Sequence, residues 1–371
     1  MLCNDCCADN VLSTTYLKTP SDAISSNSPR SAMEDIDFLE NPSQDDWNQC
    51  VNLCYNHDHW GLAYSDWAAW KRGFPDGVNV FYAKTKSANE VVGFCCVSTM
   101  NSLDGKDEIT NIGCFFVHPE FRSIGIGSKL FESSIGPKRE EQKNITIIAG
   151  SMSDKYDARY GFNKYFDFGY EPFSIPMNDL NEAALEEEWT HYAAALKERK
   201  IAIVDVSEVD NERIVEFDEQ IVQFNRRAFV SAWLRREDSY SKVVALVVER
   251  SLTRFQVAID ESTGKVVGYA SLRSGCGKQL MFSPIFADTE EIAFGLVLAA
   301  MKSVSALKSH ESLFFSPPST NNSIKELIRK LSNGKFQMED EKFVRRQFTQ
   351  KAPPVDEQKI YTFTLYGLVF V

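Results

Sequence analysis

The sequence predicts an α/β protein of two like halves, each a mixed, mostly antiparallel sheet flanked by helices. Three observations predict it. Runs rich in β-branched and aromatic residues alternate with helix-period segments along most of the chain. The 371 residues are enough for two domains of ordinary size. A near-repeat, "NEVVGFCCVSTM" at 89–100 and "GKVVGYASLRSG" at 264–275, recurs with the order of elements around it. Both copies read V-V-G-aromatic-small, which marks an internal duplication of roughly 160–170 residues per copy.

Each element has a local reason. Residues 1–33 are rich in Ser, Asn, Asp and Pro without apolar periodicity, and are expected to be a disordered tail. "DDWNQCVNLCYNHDHW" puts Trp47, Val51, Cys54 and Tyr55 on one helical face. "SDWAAWKRGF" is a second short helix with Ser65 as its expected N-cap. The strands "VNVFYAKT", "EVVGFCCVSTM" and "EITNIGCFFV" follow, separated by "SANE" and "NSLDGKD". After a glycine stretch come a helix to about Ile135, the buried-type strand "NITIIAG", and a helix ending at Gly161. Residues 181–200 favour helix strongly and are the expected linker. Beyond 200 the order repeats: "IAIVDV", two helices, a hairpin turning at Thr263-Gly264, a helix, "SLFFSPP", another helix, and "KIYTFTLYGLVFV".

Composition narrows the function. A net charge of −12 argues against nucleic acid or an anionic membrane as partner. No run of about 18 apolar residues exists, and "MLCNDCCADNVLSTTYLK" has no basic segment followed by an apolar one. Nine scattered cysteines, an odd number, fit reduced thiols in a soluble cytoplasmic protein. Cys3, Cys6 and Cys7 lack a completing ligand, and Cys50, Cys54, His57 and His59 are packed too tightly for an ordinary zinc site, so no metal is expected.

"VHPEFRSIGIGSKLF" (117–131) carries the chemistry. A strand ends at Val117 and a helix starts near Gly125. A helix start offers unpaired N–H groups and a positive dipole end, which attract phosphate. Gly125 and Gly127 bare the backbone there, and Arg122 adds charge at the rim. A Walker A loop would need four residues between its glycines, and a dinucleotide loop would need Gly where Leu130 stands. Arg122-Ser123-Ile124-Gly125-Ile126-Gly127 instead resembles the acetyl-coenzyme A loop of the GNAT N-acetyltransferases. "VHPEFR" matches that family's lead-in, and "RYGF" at 159–162 is similar to its later Y-x-x-x-G-F helix. The resemblance covers the order of elements from about 35 to 175.

The resemblance implies a site. The pyrophosphate of acetyl-CoA would rest on the N–H groups of 122–128, through Ser128. The pantetheine arm would pair with "IGCFFV", including Phe115, Phe116 and Val117, and the oxyanion would bond a strand N–H at Phe116 or Val117. A Tyr on the later helix commonly protonates the leaving thiolate, but its position is Asp157 here. Tyr156 is the nearest substitute, although one residue turns a helical side chain by about 100°. Glu108 is the expected base, for an ammonium must lose a proton before it attacks. His118 belongs to the lead-in and is expected to be structural. The acceptor pocket would draw on Asp58, Trp60, Tyr64, Asp66 and Trp67, although Trp60, Trp67 and Trp70 also suit a core.

In the second copy Arg122 becomes Ala287, Gly125 becomes Glu290 and Gly127 becomes Ile292. With Asp288 and Glu291 nearby, carboxylates crowd the phosphate position. "FNRRAFVSAWLRR" and "SPIFAD" resemble the second half of the YitH/HolE-type tandem acetyltransferases. Arg226, Arg227, Arg235 and Arg236 form a basic cluster expected to be a solvated face, with an anion-gripping acceptor site as the alternative.

The expected organisation is thus a tail (1–33), a catalytic GNAT domain (34–180), a helical linker (181–200) and a degenerate GNAT-like domain (201–371). The expected activity is transfer of acetyl from acetyl-CoA to a small-molecule or protein amine, by a monomer or weak dimer. The alternatives are a non-catalytic acyl-CoA binder or sensor and a scaffold module.

Overall fold

The computed structural model describes residues 33–234, 236, 253–304, 306–338, 344–366 and 368–371. The tail expected at 1–33, save Met33, lies outside the described residues, as do Cys3, Cys6, Cys7 and Arg235.

The first half opens with β1 (Ile36–Glu40) and α1 (Gln44–Asp58). Ser43 caps α1, its hydroxyl accepting the Asp46 N–H at 3.1 Å. After α2 (Asp66–Gly73) come β2 (Val78–Thr85), β3 (Val91–Asn101) and β4 (Glu108–Val117), an antiparallel meander. α3 (Ile126–Glu140) crosses over to β5 (Asn144–Ala149), which pairs parallel with β4. α4 (Ser153–Tyr160) ends on Gly161 at φ 76°, as its sequence requires. The short β6 (Lys164–Tyr165), β7 (Phe173–Pro176) and α5 (Glu182–Glu198) follow.

The second half repeats the order with β8 (Ile201–Asp205), α6 (Asn211–Val222), α7 (Arg227–Leu234), β9 (Thr253–Asp260), β10 (Lys265–Ser274), β11 (Gln279–Ala287) and α8 (Glu290–Ser303). It finishes with β12 (Ser312–Phe315), α9 (Ser323–Leu331), β13 (Gln337–Met338), β14 (Arg345–Phe348) and β15 (Ile360–Thr362). The duplicated "VVG" segments are β3 and β10, the third strand from the β1 end and the β8 end of their sheets.

The sheets do not respect the expected boundary at 180/201. One runs β1-β2-β3-β4-β5-β14-β6 and the other β13-β7-β12-β11-β10-β9-β8, with β15 also paired to β11. Each half lends the other a strand. β14 lies between β5 and β6, where Arg346 donates to Asn111 Oδ1 at 2.6 Å and to the Tyr170 hydroxyl at 3.0 Å. β7 lies between β13 and β12, with Phe173 and Ile175 fully buried. Nor is 181–200 a free linker. Leu185 and Leu196 of α5 are buried, and Leu196 sits over Gly295 of α8, where a Cβ would clash with it.

Among the described residues, one apolar core packs the helices of both halves together. It joins α1 and α2 to α6 and α7, and takes in Phe363, Leu368, Val369 and Phe370. Trp67 and Trp70 belong to it, their indoles donating to Pro42 O and Tyr366 O at 2.8 and 3.1 Å.

Buried charge crosses the same interface. Asp66, fully buried at the start of α2, pairs with Arg236 and lies 3.6 Å from Arg273. Ser65 does not cap α2 as expected; its hydroxyl accepts Arg236 Nη2 at 3.0 Å. Arg226 is buried against Asp218 at 3.1 Å and donates to Val371 O at 3.1 Å, while exposed Arg227 pairs with Glu212. The arginines thus do not form one solvated face: Arg236 is an interface residue held by Asp66 of the first half, Arg226 is buried within the second half, and Arg227 is exposed. Asp66→Ala strands two buried guanidiniums. It is expected to destabilise the protein by roughly 3–5 kcal/mol, read as a lower denaturant midpoint.

Candidate active site

The site begins with a bulge. β4 pairs with β3 at Cys96↔Cys114 and then at Val97↔Ile112, so Gly113 has no partner opposite. β5 pairs with β4 only from Ile109↔Asn144 to Ile112↔Ile147. Beyond the bulge the edge of β4 facing β5 is open. The His118 N–H bonds Val92 O at 2.8 Å, toward β3. By strand alternation Phe116 also faces β3, and the Phe115 and Val117 amides face the open edge. Of the two residues expected to offer an oxyanion donor, the backbone selects Val117.

The loop that follows turns tightly. Ser123 and Gly125 take φ of 68° and 99°, and Gly125 is the N-cap of α3 with no side-chain capping bond. The first-turn amides of Ile126, Gly127 and Ser128 have no acceptor within the helix. Gly125 needs its glycine for its backbone. Gly127 does not: a Cβ there would make only ordinary contacts, 3.4 Å to Phe115 Cζ and 3.5 Å to Val117 Cγ2. Its bareness leaves the backbone here open to close approach from outside the chain. Arg122 lies at the rim, its Nε donating to Val117 O at 3.0 Å and its guanidinium 5.6 Å from the Phe116 ring centre. A dipole end, bare amides and one arginine fit a pyrophosphate, and the open edge fits an extended chain bearing amides.

The second half lacks both features. β11 pairs parallel with β12 only over Gln279–Met281, and the space beyond is taken by the protein itself. β15 pairs there at Ile285↔Thr362 and Phe286↔Ile360, and the Ser283 hydroxyl bonds the Leu365 N–H and C=O at 2.7 and 2.9 Å. At the start of α8, Asp288 pairs with Lys359 at 3.0 Å and Glu291 with Arg199 at 3.1 Å.

The other face of β4 looks toward α1 and the second half. Phe116 meets the edge of Trp60 at 5.7 Å and the ring of His57 at 6.1 Å, and His57 meets His118 at 4.5 Å. Tyr366 lies 6.3 Å from Trp60. The β10–β11 turn covers this side: Cys276 N–H donates to Leu62 O at 2.9 Å and Gln279 Nε2 to His59 O at 3.1 Å. Gly113 must be bare, because Leu368 packs on it. Sequence reasoning assigned no element to the end of the chain and did not see that Tyr366 and Leu368 reach this face.

Other expected residues are redistributed. Glu108 is corrected as the base. It stands nine strand residues before Val117, roughly 30 Å away at a strand's rise, and is paired with Lys138 at 2.9 Å. Asp66 and Trp67 are interface and core, not pocket. Trp60 stays on the cleft face, and exposed Asp58 ends α1 beside it. Tyr64 donates to Asn52 Oδ1 at 2.7 Å. Tyr156 is half-buried and stacked on Phe131 at 5.3 Å, and Phe131 packs on Phe115 at 5.5 Å. Cys50 and Cys54 are buried in α1 while His57 and His59 are exposed. Among the described residues no three His, Cys, Asp or Glu groups gather to hold a metal.

A glycine-bared helix start after a bulged, open strand defines an acyl-coenzyme A-type acyltransferase fold. Residues 42–153 match the acetyltransferase (GNAT) family and 214–362 an acetyltransferase (GNAT) domain; the chain belongs to this family, with two such domains in tandem. No curated protein matches the chain. Solved structures share the fold at low identity. A candidate acetyltransferase from Pyrococcus horikoshii has TM-score 0.58 and 15% identity, covering 92% of this chain and 98% of that one. A tandem GNAT protein from the clavulanic acid biosynthesis pathway has TM-score 0.55 and 13% identity, covering 84% and 97%. Saccharomyces cerevisiae N-myristoyltransferase, solved with myristoyl-CoA, has TM-score 0.52 and 10% identity, covering 92% and 87%. Among the described residues no helix is long and apolar enough to cross a membrane.

Proposed function

We propose that the protein transfers the acetyl group of acetyl-CoA to a primary amine, and that the first GNAT domain alone holds the acetyl-CoA. The observation that carries this is the uncapped start of α3 beside the open edge of β4, against a second copy whose groove is filled by β15 and rimmed by acids. Acetyl-CoA supplies an activated thioester. The residues do the rest: 122–128 hold the pyrophosphate, the Phe115 and Val117 backbones align the arm, and the Val117 N–H receives the oxyanion. The second domain closes the acceptor side through 275–279, so the amine enters between the halves, past Trp60 and Tyr366. Five free, buried thiols among the described residues support a cytoplasmic setting. The test is calorimetric binding of acetyl-CoA, followed by thiol release across a panel of small amines and peptide lysines. Saturable binding with release only when an amine is present supports the reading; no binding sinks it. Asp157, in place of the family's Tyr, favours a second reading as an acyl-CoA sensor, which requires binding without release by any amine.

Tyr156 is the proposed proton donor to the thiolate, one aromatic layer from the open strand. Tyr156→Phe keeps the stack on Phe131 and removes only the hydroxyl. It is expected to lower kcat tenfold or more with the acetyl-CoA KM unchanged. An unaltered kcat would hand that proton to water.

A further inference from the structure

We propose that His57 is the base that accepts the proton of the acceptor ammonium, an inference resting on the acetyl-transfer reading above. Its place is the geometric reason. His57 is the penultimate residue of α1 (Gln44–Asp58), exposed, with its imidazole nearly parallel to the Phe116 ring at 25°. Phe116 stands between the two residues whose amides face the open edge, and Trp60 meets it from the same side. An amine entering between the halves passes this imidazole before it reaches the strand.

His118 is the obvious rival, and its hydrogen bonding excludes it. Its Nδ1 accepts the Glu120 N–H at 3.2 Å, which leaves the proton of the neutral ring on Nε2. Nothing remains on that ring to accept a proton. Among the described residues no hydrogen bond engages the His57 ring nitrogens, so a neutral His57 keeps a lone pair for the substrate. The charges facing it come from two elements: Asp58 on α1, and His118, Glu120 and Arg122 after β4. Partial burial lowers its pKa below the usual 6.5 and Arg122 adds to that, against the pull of Asp58 and Glu120. Burial and then the His57 charge lower His118 likewise. Both rings are therefore neutral at pH 7.

The step balances. One N–H bond of the ammonium breaks and its proton goes to His57. The freed nitrogen lone pair forms the C–N bond to the thioester carbon, and the carbonyl π pair moves to oxygen, held by the Val117 N–H. The carbonyl re-forms, the C–S bond breaks, and the thiolate takes the second nitrogen proton, directly or by way of Tyr156. The imidazolium returns its proton to water. An amide, coenzyme A and one proton leave.

The experiment uses the full chain, acetyl-CoA and the best primary amine from the panel. His57→Gln is expected to lower kcat/KM for the amine about 100-fold. It should also abolish the acid limb of the pH profile, which falls below pH 6.5 in the wild type. Calorimetric affinity for acetyl-CoA should not move, and added imidazole should restore part of the activity of His57→Ala. An acid limb that persists in His57→Gln overturns the proposal. So does an equal loss of acetyl-CoA affinity, since the ring would then only be packing on Phe116. A wild type that binds no acetyl-CoA fails earlier, at the acetyl-transfer reading itself, and the binding measurement tells the two failures apart.

Discussion

Gly125→Glu is expected to abolish acetyl-CoA binding, weakening it at least 100-fold, or about 2.7 kcal/mol. Two effects act together. The residue sits at φ 99°, a conformation that costs a side chain roughly 1–2 kcal/mol. Its carboxylate would also stand at the dipole end that receives pyrophosphate, where like charges repel. The second domain already carries acids at this place: Glu290 and Glu291 open α8, with Asp288 just before them paired to Lys359 and Glu291 to Arg199. Gly127→Ala separates ligand from fold. The protein accommodates that Cβ at 3.4 Å, so its melting temperature should hold while affinity falls. Wild-type affinity in Gly125→Glu, measured by calorimetry, would remove the loop from the site.

The second large effect is expected on dividing the chain. Residues 34–180 alone should give no cooperative melt and bind no acetyl-CoA. They lack β14, so β5 would lose its antiparallel partner from Thr146 to Ala149. Asn111 would lose the Arg346 guanidinium, and Phe162 O and Ser153 O would lose the Gln347 amide. The same fragment would expose Phe173 and Ile175, which the second sheet buries completely. Each unsatisfied buried group costs roughly 1–3 kcal/mol, enough in sum to exceed ordinary domain stability. Co-expression with 181–371 should recover a soluble complex that binds acetyl-CoA. A folded, binding-competent 34–180 would show that the exchanged strands are dispensable.

The exchange also marks where sequence reading stopped. β14 is four residues, "RRQF", and β6 is two. Such short segments carry no periodicity that could name a sheet. Their partners lie some 200 residues away, and pairing over that distance is settled by which edge buries Phe348 and satisfies Arg346. Glu108 failed for a related reason. A carboxylate at the start of the right strand seemed close to the chemistry, yet the distance along a strand and two lysines take it out of reach. His57 was weighed only as a metal ligand, because nothing local says that the end of α1 folds over Phe116.

By itself, the sequence determined the duplicated α/β architecture, the GNAT relationship, and the strand–loop–helix to which we assign the phosphate. These are local properties. Alternation, a left-handed glycine at a helix start and an apolar helical face act within a few residues, and no distant contact is needed to express them. The acidic loop of the second copy was legible for the same reason. Tertiary structure alone decided which sheet owns β7 and β14, that β15 fills the second groove, and that Tyr366 and Leu368 lie on the face of β4 that looks toward α1. It also decided that Asp66 and Arg236 join the halves instead of meeting substrate. Those outcomes depend on burying groups drawn from both ends of the chain against one another, and the free energy of such burial belongs to the assembled surfaces rather than to any stretch of sequence.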